Sequence, residues 1–388
     1  MRVLVNSFVE TLGIYPLPVD KTSLAWLLRT SWIQQALLDP CAFHATLYAA
    51  SAHVDALRGL PTTSMTLYHH TMVLRLLKER FAAPGAVTDE SIMTLMAPLV
   101  FFTSLSGDDH SSQIHKKALI KMIQIKSGLG PLTLSPFLEA LTAVCILQES
   151  VIHDLQFDLP WVQVPPTPLT PPSYLISAAL RRAKSRHDAF YSLSPKAIRI
   201  FEDIEFTCKY LASLTAGSSL PLSLHAHLQA SWRAQIEVAL SATGPAAHPT
   251  PLTGPASMTM ACHAAALIFW YLLDDFSPLA PSSLQILVDG LKRALICSST
   301  EIWVRIAPEA HTWMCMIGAA ASIMRNDRIF FTLRHGQPVI CVQSQGASIF
   351  LEGWGVYDWG SQWRKARMLV PAADNETVIT KDPHCATV

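Results

Sequence analysis

Charge is scarce in this chain. Asp, Glu, Lys and Arg supply 15% of the 388 residues, where about a quarter is usual, and half of the residues are apolar. A chain of this composition either buries much of itself or offers apolar surface to partners. Neither sign dominates, because 29 Lys and Arg balance 29 Asp and Glu. The basic excess that phosphate neutralisation requires is therefore missing, which argues against a DNA-binding module acting alone. Zinc-site spacing is also missing. The eight cysteines, Cys41, Cys145, Cys208, Cys262, Cys297, Cys315, Cys341 and Cys385, include no C-x-x-C pair. Most fall in apolar helical runs, so buried free thiols in a reducing compartment are expected. No phosphate-binding P-loop and no dinucleotide fingerprint occur. The longest apolar run, Ala264 to Leu273, is short of the ~20 residues that span a bilayer. The first eighteen residues are too short and too polar for a secretory leader. The expectation is an intracellular protein with no membrane span.

Period-two alternation is nearly absent, so no sheet is predicted; short strands around Val339–Val342 remain an option. Helical signals are abundant. Asp39-Pro40 reads as a cap followed by a proline in the first turn. Phe43, Leu47, Ala50, Val54 and Leu57 then recur at spacings of four and three, ended by Gly59 and Pro61. Leu67, His70, Leu74, Leu77 and Phe81 repeat the spacing, ended by Pro84-Gly85. Both stripes are expected to face the core, so Asp at Leu47 or Leu74 should unfold this half. Thr88 is expected to cap a third helix, with a kink at Pro98. Asp108-Asp109 starts a fourth and Ser135-Pro136 a fifth, reaching His153. Proline is dense from Leu159 to Pro172, an extended linker in the making. Helices resume with one from Ser194-Pro195 and one near Ser223–Leu240. Further segments cover Ala256–Phe276, Ser282–Trp303 and Pro308–Leu333, and a last one ends near Trp359. The fold class predicted is all-α, a multi-helix array of antiparallel helix pairs around one or two hydrophobic cores. Its units would be an N-terminal segment (1–21), a helical half (22–158), the linker (159–172), a second helical half (173–360) and a tail (361–388).

Several clusters invite a chemical reading. Asp274-Asp275 ends an aromatic helix and resembles the aspartate-rich motif with which terpene cyclases hold magnesium. Pro278 stands where a further acid is needed, and Asn326–Arg334 lacks the second motif's Ser and Glu. The plainer reading is two acids at a helix end facing water. His69 and His70 point to different sides of a helix, and His110 and His115 lack a third ligand. Gln343-Ser344-Gln345-Gly346 is half of a nucleophile elbow. No catalytic residues, cofactor or metal ligands are therefore expected. Arg181, Arg182, Lys184 and Arg186 form the one basic run, read either as a solvated helix face or as a nuclear-import or phosphate-contact run.

Asp39-Pro40 before a helix with Ala49, Ala50, Ala52 and His53, the acidic start at Asp89-Glu90, and the helix from His115 to the stop at Gly130 resemble the fungal-specific transcription factor domain, the regulatory domain of zinc binuclear cluster factors. A weaker likeness runs through Pro308–Phe331. Lys116-Lys117 and Lys126-Ser127 depart from the family pattern and make that helix face basic. The resemblance implies a nuclear transcriptional regulator, with control of a secondary-metabolite gene cluster among its roles. It implies protein partners or a homodimer and a small-molecule effector. DNA would be reached indirectly or through a missing module, since Met1 to Ser23 contains no cysteine of a zinc cluster. The alternatives are a terpene-cyclase-like helical enzyme and a helical interaction scaffold outside the nucleus.

Overall fold

The structure is a computed structural model that describes residues 23–128, 134–159, 162, 167–185, 193–215, 222–241, 255–274, 279–341 and 346–369. Every regular element among them is helical. In chain order these are α1 (Leu24–Leu27), a π-helical turn (Leu28–Trp32), α2 (Ile33–Leu38), α3 (Pro40–Leu57), α4 (Ser64–Phe81), α5 (Glu90–Leu105), α6 (Asp109–Ser127) and α7 (Pro136–His153). There follow α8 (Tyr174–Ser185), α9 (Pro195–Thr215), α10 (Leu222–Ser241), α11 (Pro255–Leu273), α12 (Pro281–Ile296), α13 (Thr300–Ile306), α14 (Pro308–Ala321), α15 (Arg325–Cys341) and α16 (Gly346–Leu369). The all-α expectation is met, and Val339–Cys341 is helical rather than extended.

Local chemistry accounts for most boundaries. Asp39 Oδ1 accepts from the amides of Cys41 (2.8 Å) and Ala42 (3.4 Å), with Pro40 opening α3. Ser135 and Ser194 cap α7 and α9 in the same way, each before a proline. A cap of this kind is worth about 1 kcal/mol. Gly59, Gly85 and Gly107 sit at positive φ in the turns after α3, α4 and α5, where a side chain would be strained. The third helix begins one residue later than expected: Asp89, not Thr88, caps α5, and Ala86–Thr88 is a 3₁₀ turn.

Sequential helices pack as neighbours: α3 on α4, α5 on α6 and α7, α11 on α12, and α14 on α15 and α16. Helix α14 is the hub, with every residue buried. Its surroundings include α8, α11, α13, α15 and α16. Small residues allow this. A Cβ added at Gly318 would lie 2.6 Å from the Phe331 ring and 2.9 Å from Leu291, so only glycine lets α15 and α12 approach so closely. Around the hub, Phe269 packs against Trp313 and Trp359 at 5.8 and 5.7 Å between ring centres. The buried apolar residues of both halves form one continuous cluster.

Four expectations are corrected. On α4 the buried face is Thr66, His69, Val73 and Leu77; Leu67 is 58% exposed, Leu74 39% and Phe81 41%. Apolar residues surround α4, so periodicity alone did not reveal which face turned inward. The segments Ser282–Trp303 and Pro308–Leu333 each contain two helices, broken at 297–299 and at 322–324. The second break has no proline or glycine. Instead, the carbonyls it frees at Ser322 and Ile323 accept from Arg328, and Arg364 also donates to Ser322. Finally, Ala256–Leu273 is long and apolar enough to cross a membrane, although 72% of that window is buried inside the protein, as in a core helix.

Candidate functional site

Among the described residues, some polar groups of the interior form clamps between helices and others are left unpaired, a group of the latter gathering in one unsatisfied centre. The largest clamp joins the end of α7 to α16. Asp154, at φ 56° in the left-handed region, ends α7. Its carboxylate accepts from Tyr357 Oη at 2.7 Å, Arg364 at 2.6 Å and Lys365 at 3.0 Å. Burial would raise its pKa, but Arg364, Tyr357 and Lys365 outweigh burial and hold it below the ordinary value. Arg328 adds hydrogen bonds to the carbonyls of Ile152, Ser322 and Ile323, so α15 is tied to the same helix end.

The unsatisfied centre lies between α13, α14, α15 and α16. His311 on α14 is fully buried, with Cys315 Sγ 3.7 Å from its Nδ1 and the Trp303 ring centre 5.9 Å away. Burial, then the nearby Arg334 and His335, push its pKa down to about 3. His335 on α15 is 1% exposed, and among the described residues neither ring nitrogen has a hydrogen-bond partner. Burial pushes its pKa down to about 3 as well. Thr312 Oγ1 is buried and equally unpaired. A Cβ at Gly353 of α16 would lie 3.3 Å from His335 Nε2 and 3.2 Å from Thr312 Cγ2, which brings these two side chains to one spot. Arg334 donates to Thr300 Oγ1 at 3.0 Å, with its guanidinium 5.6 Å from the Phe330 ring centre. Two neutral imidazoles can each donate and accept, so the centre can recognise polar groups, with positive charge from Arg334 and from Lys292, whose Nζ lies 5.7 Å from the same Phe330 ring centre.

A second group of rings lies on α3 and α4. His44 and His69 face each other with Nδ1 atoms 2.9 Å apart, one donating and one accepting. His70 stacks on Tyr48 at 4.7 Å and leaves its Nε2 unpaired, as does His115. The adjacent histidines His69 and His70 thus point to different partners, as expected from their spacing. Among the described residues, no group of three or more His, Cys, Asp or Glu could hold a metal ion. Cys41, Cys145, Cys208, Cys262 and Cys315 are buried free thiols, and Cys297 is partly buried.

Asp274 does not face water, as the plainer reading had it. It is 2% exposed, and Arg233 forks onto its two oxygens at 2.9–3.2 Å. Asp327, within the segment compared with a second metal motif, accepts from Gln285 and Lys292. Asp275, Pro278 and Gln343–Gln345 lie outside the described residues. The basic run is not one solvated face. Arg182 forks onto the buried Glu309 of α14, Lys184 pairs with Glu202, and Arg181 lies 5.9 Å from the Tyr174 ring centre. Arg186 lies outside the described residues. Sequence reasoning gave His311, His335 and Arg334 no role as a group, because His311 sits in a largely apolar helix, the other two lie in the next one, and no motif joins them.

A family model described as the fungal specific transcription factor domain matches residues 16–334. No curated protein and no solved structure matches the chain.

Proposed function

Since the chain belongs to the fungal specific transcription factor domain family, we propose that it is the helical regulatory body of a transcriptional regulator that acts in the nucleus on a limited gene set, a secondary-metabolite cluster being the first to examine. The observation that carries this is the family match across both helical halves, from residue 16 to residue 334. The single continuous core and the clamps between halves support it, since a regulatory body must move or hold as one unit to pass a signal. Protein partners or a second copy are expected to supply what this body lacks. Contact with DNA is proposed to run through a separate module or partner, because the chain carries no net positive charge. Arg181 and Lys184, the outward members of the basic run, are the residues proposed for nuclear import. Deletion of the gene should change the transcripts of that limited set, and a tagged copy should concentrate in the nucleus. Unchanged transcripts together with exclusion of the tagged protein from the nucleus would leave the scaffold reading in its place.

The enzymatic alternative has a specific observation against it. The acid that would begin a metal motif, Asp274, already has both oxygens held by Arg233. We therefore propose that the chain has no turnover of its own. Release of diphosphate from a prenyl substrate by the purified chain in magnesium is the result that would reverse this reading.

A further inference from the structure

Arg334 differs from the other arginines held inside the protein. Arg182, Arg233 and Arg364 each reach a carboxylate, and Arg328 reaches three backbone carbonyls. Arg334 is mostly buried, yet among the described residues its one hydrogen-bond partner is the Thr300 hydroxyl, with the Phe330 ring alongside. A guanidinium withdrawn from water without an anion is unfavourable, and its flat fork of donors matches a carboxylate. A second observation is independent of the charge. Among the described residues, His335 and Thr312, 1% and 0% exposed, carry three polar atoms with no partner, although nearly all buried polar groups in folded proteins find one. His311, next to Thr312 on α14, has its ring centre 5.9 Å from that of Trp303 on α13, the helix whose Thr300 holds Arg334, so cation and unpaired groups lie on the same set of packed helices, α13, α14, α15 and α16.

We propose that this region binds a small organic acid, its carboxylate on Arg334 and Thr300, its apolar body against Phe330, and a hydroxyl or carbonyl group toward His335 and Thr312. The neutral imidazole suits such a group, because one ring nitrogen donates and the other accepts. Thr300 and Arg334 come from different elements, α13 and α15, so a bound acid bridges them and tightens both against α14. The proposal rests on the regulator reading only in naming this acid an effector. Binding is measured without transcription, so failure of either reading leaves the other standing.

The test uses the full chain in thermal melts and calorimetric titration with acetate, lactate, benzoate, salicylate, benzamide and inorganic phosphate, each up to its solubility limit. Salicylate and benzoate are expected to raise the melting temperature, and benzamide, the neutral counterpart, is not. Arg334→Gln should weaken the acids at least about tenfold, the usual loss when a charged hydrogen-bond partner is removed. Without ligand that variant should melt no lower than the parent, because no ion pair is broken. Thr300→Val, which removes one hydroxyl and with it the ligand-free partner of Arg334, should weaken the same acids to a smaller degree than Arg334→Gln does. No response to any acid, or an undiminished response in Arg334→Gln, overturns the proposal. So does an Arg334→Gln chain that melts as low as Arg364→Gln or does not fold, since Arg334 would then be a structural cation. A response to phosphate exceeding that to every carboxylate overturns the ligand class.

Discussion

Replacing Asp154 by Asn tests whether the two helical halves stand as one body. Asn tolerates the left-handed backbone at φ 56° nearly as well as Asp and keeps an oxygen for Tyr357, so the change removes little besides charge. What it leaves behind is Arg364, whose side chain is 5% exposed and which also holds the Ser322 carbonyl. Breaking a buried ion pair from one side costs about 3–5 kcal/mol, and the retained amide contacts reduce this to roughly 2–4. A folded domain has about 5–15 kcal/mol in all, so the variant should fold but with a clearly lower margin. Each kcal/mol moves the melting temperature of a large domain by about 2–4 °C, so a fall of roughly 4–16 °C is expected at neutral pH. Acidity offers an independent check. The folded pKa of Asp154 lies below the ordinary value of 3.8, so the unfolded chain binds this proton at higher pH than the folded one. The stabilisation is thus complete above about pH 4 and is lost as pH falls through the lower folded pKa. The difference between parent and variant should therefore shrink in that window. Urea melts of both proteins from neutral to acidic pH measure it. A variant with the parent's midpoint at pH 7, or a gap that persists unchanged into strong acid, refutes the clamp.

Other outcomes follow from particular side chains. Leu47→Asp should abolish folding, because it places an unpaired carboxylate at a fully buried position, whereas Leu74→Asp should leave helicity and melting nearly unchanged at a position 39% exposed; circular dichroism on both decides. Gly318→Ala should cost about 1–3 kcal/mol, read as a lower urea midpoint, because its methyl would meet Phe331 at 2.6 Å. His311 and His335 remain neutral in the fold to about pH 3, while the unfolded chain takes up these protons near 6.5. Stability should accordingly fall as pH drops below 6.5, and His335→Gln should flatten that slope in pH-dependent melts. Arg233→Ala should remove the ion pair to the buried Asp274 carboxylate and lower the melting temperature more than loss of the exposed Arg75–Glu79 pair does.

The sequence by itself determined the helical class and most helix beginnings. Those depend on contacts a few residues apart: Asp39 with Cys41, Ser135 with Leu138, and Gly59 or Gly85 in a turn only glycine enters comfortably. It also carried the family pattern, because small residues and caps recur in order along the chain. It did not determine which side of α4 turns inward, since apolar residues lie all round that helix and the choice belongs to α3 and its neighbours. Nor did it show the break at Ser322–Met324, where Arg328, a few residues on, and Arg364, forty-two residues from Ser322, take the free carbonyls. The candidate site was the least legible of all. Asp274 reads as a surface acid until Arg233, forty-one residues away, is seen to cover it. Arg334, His311 and His335 become notable only when burial is known, because an unpaired polar group carries meaning only where water cannot reach it. Burial is a property of all the packed helices together, and no short window of sequence contains it.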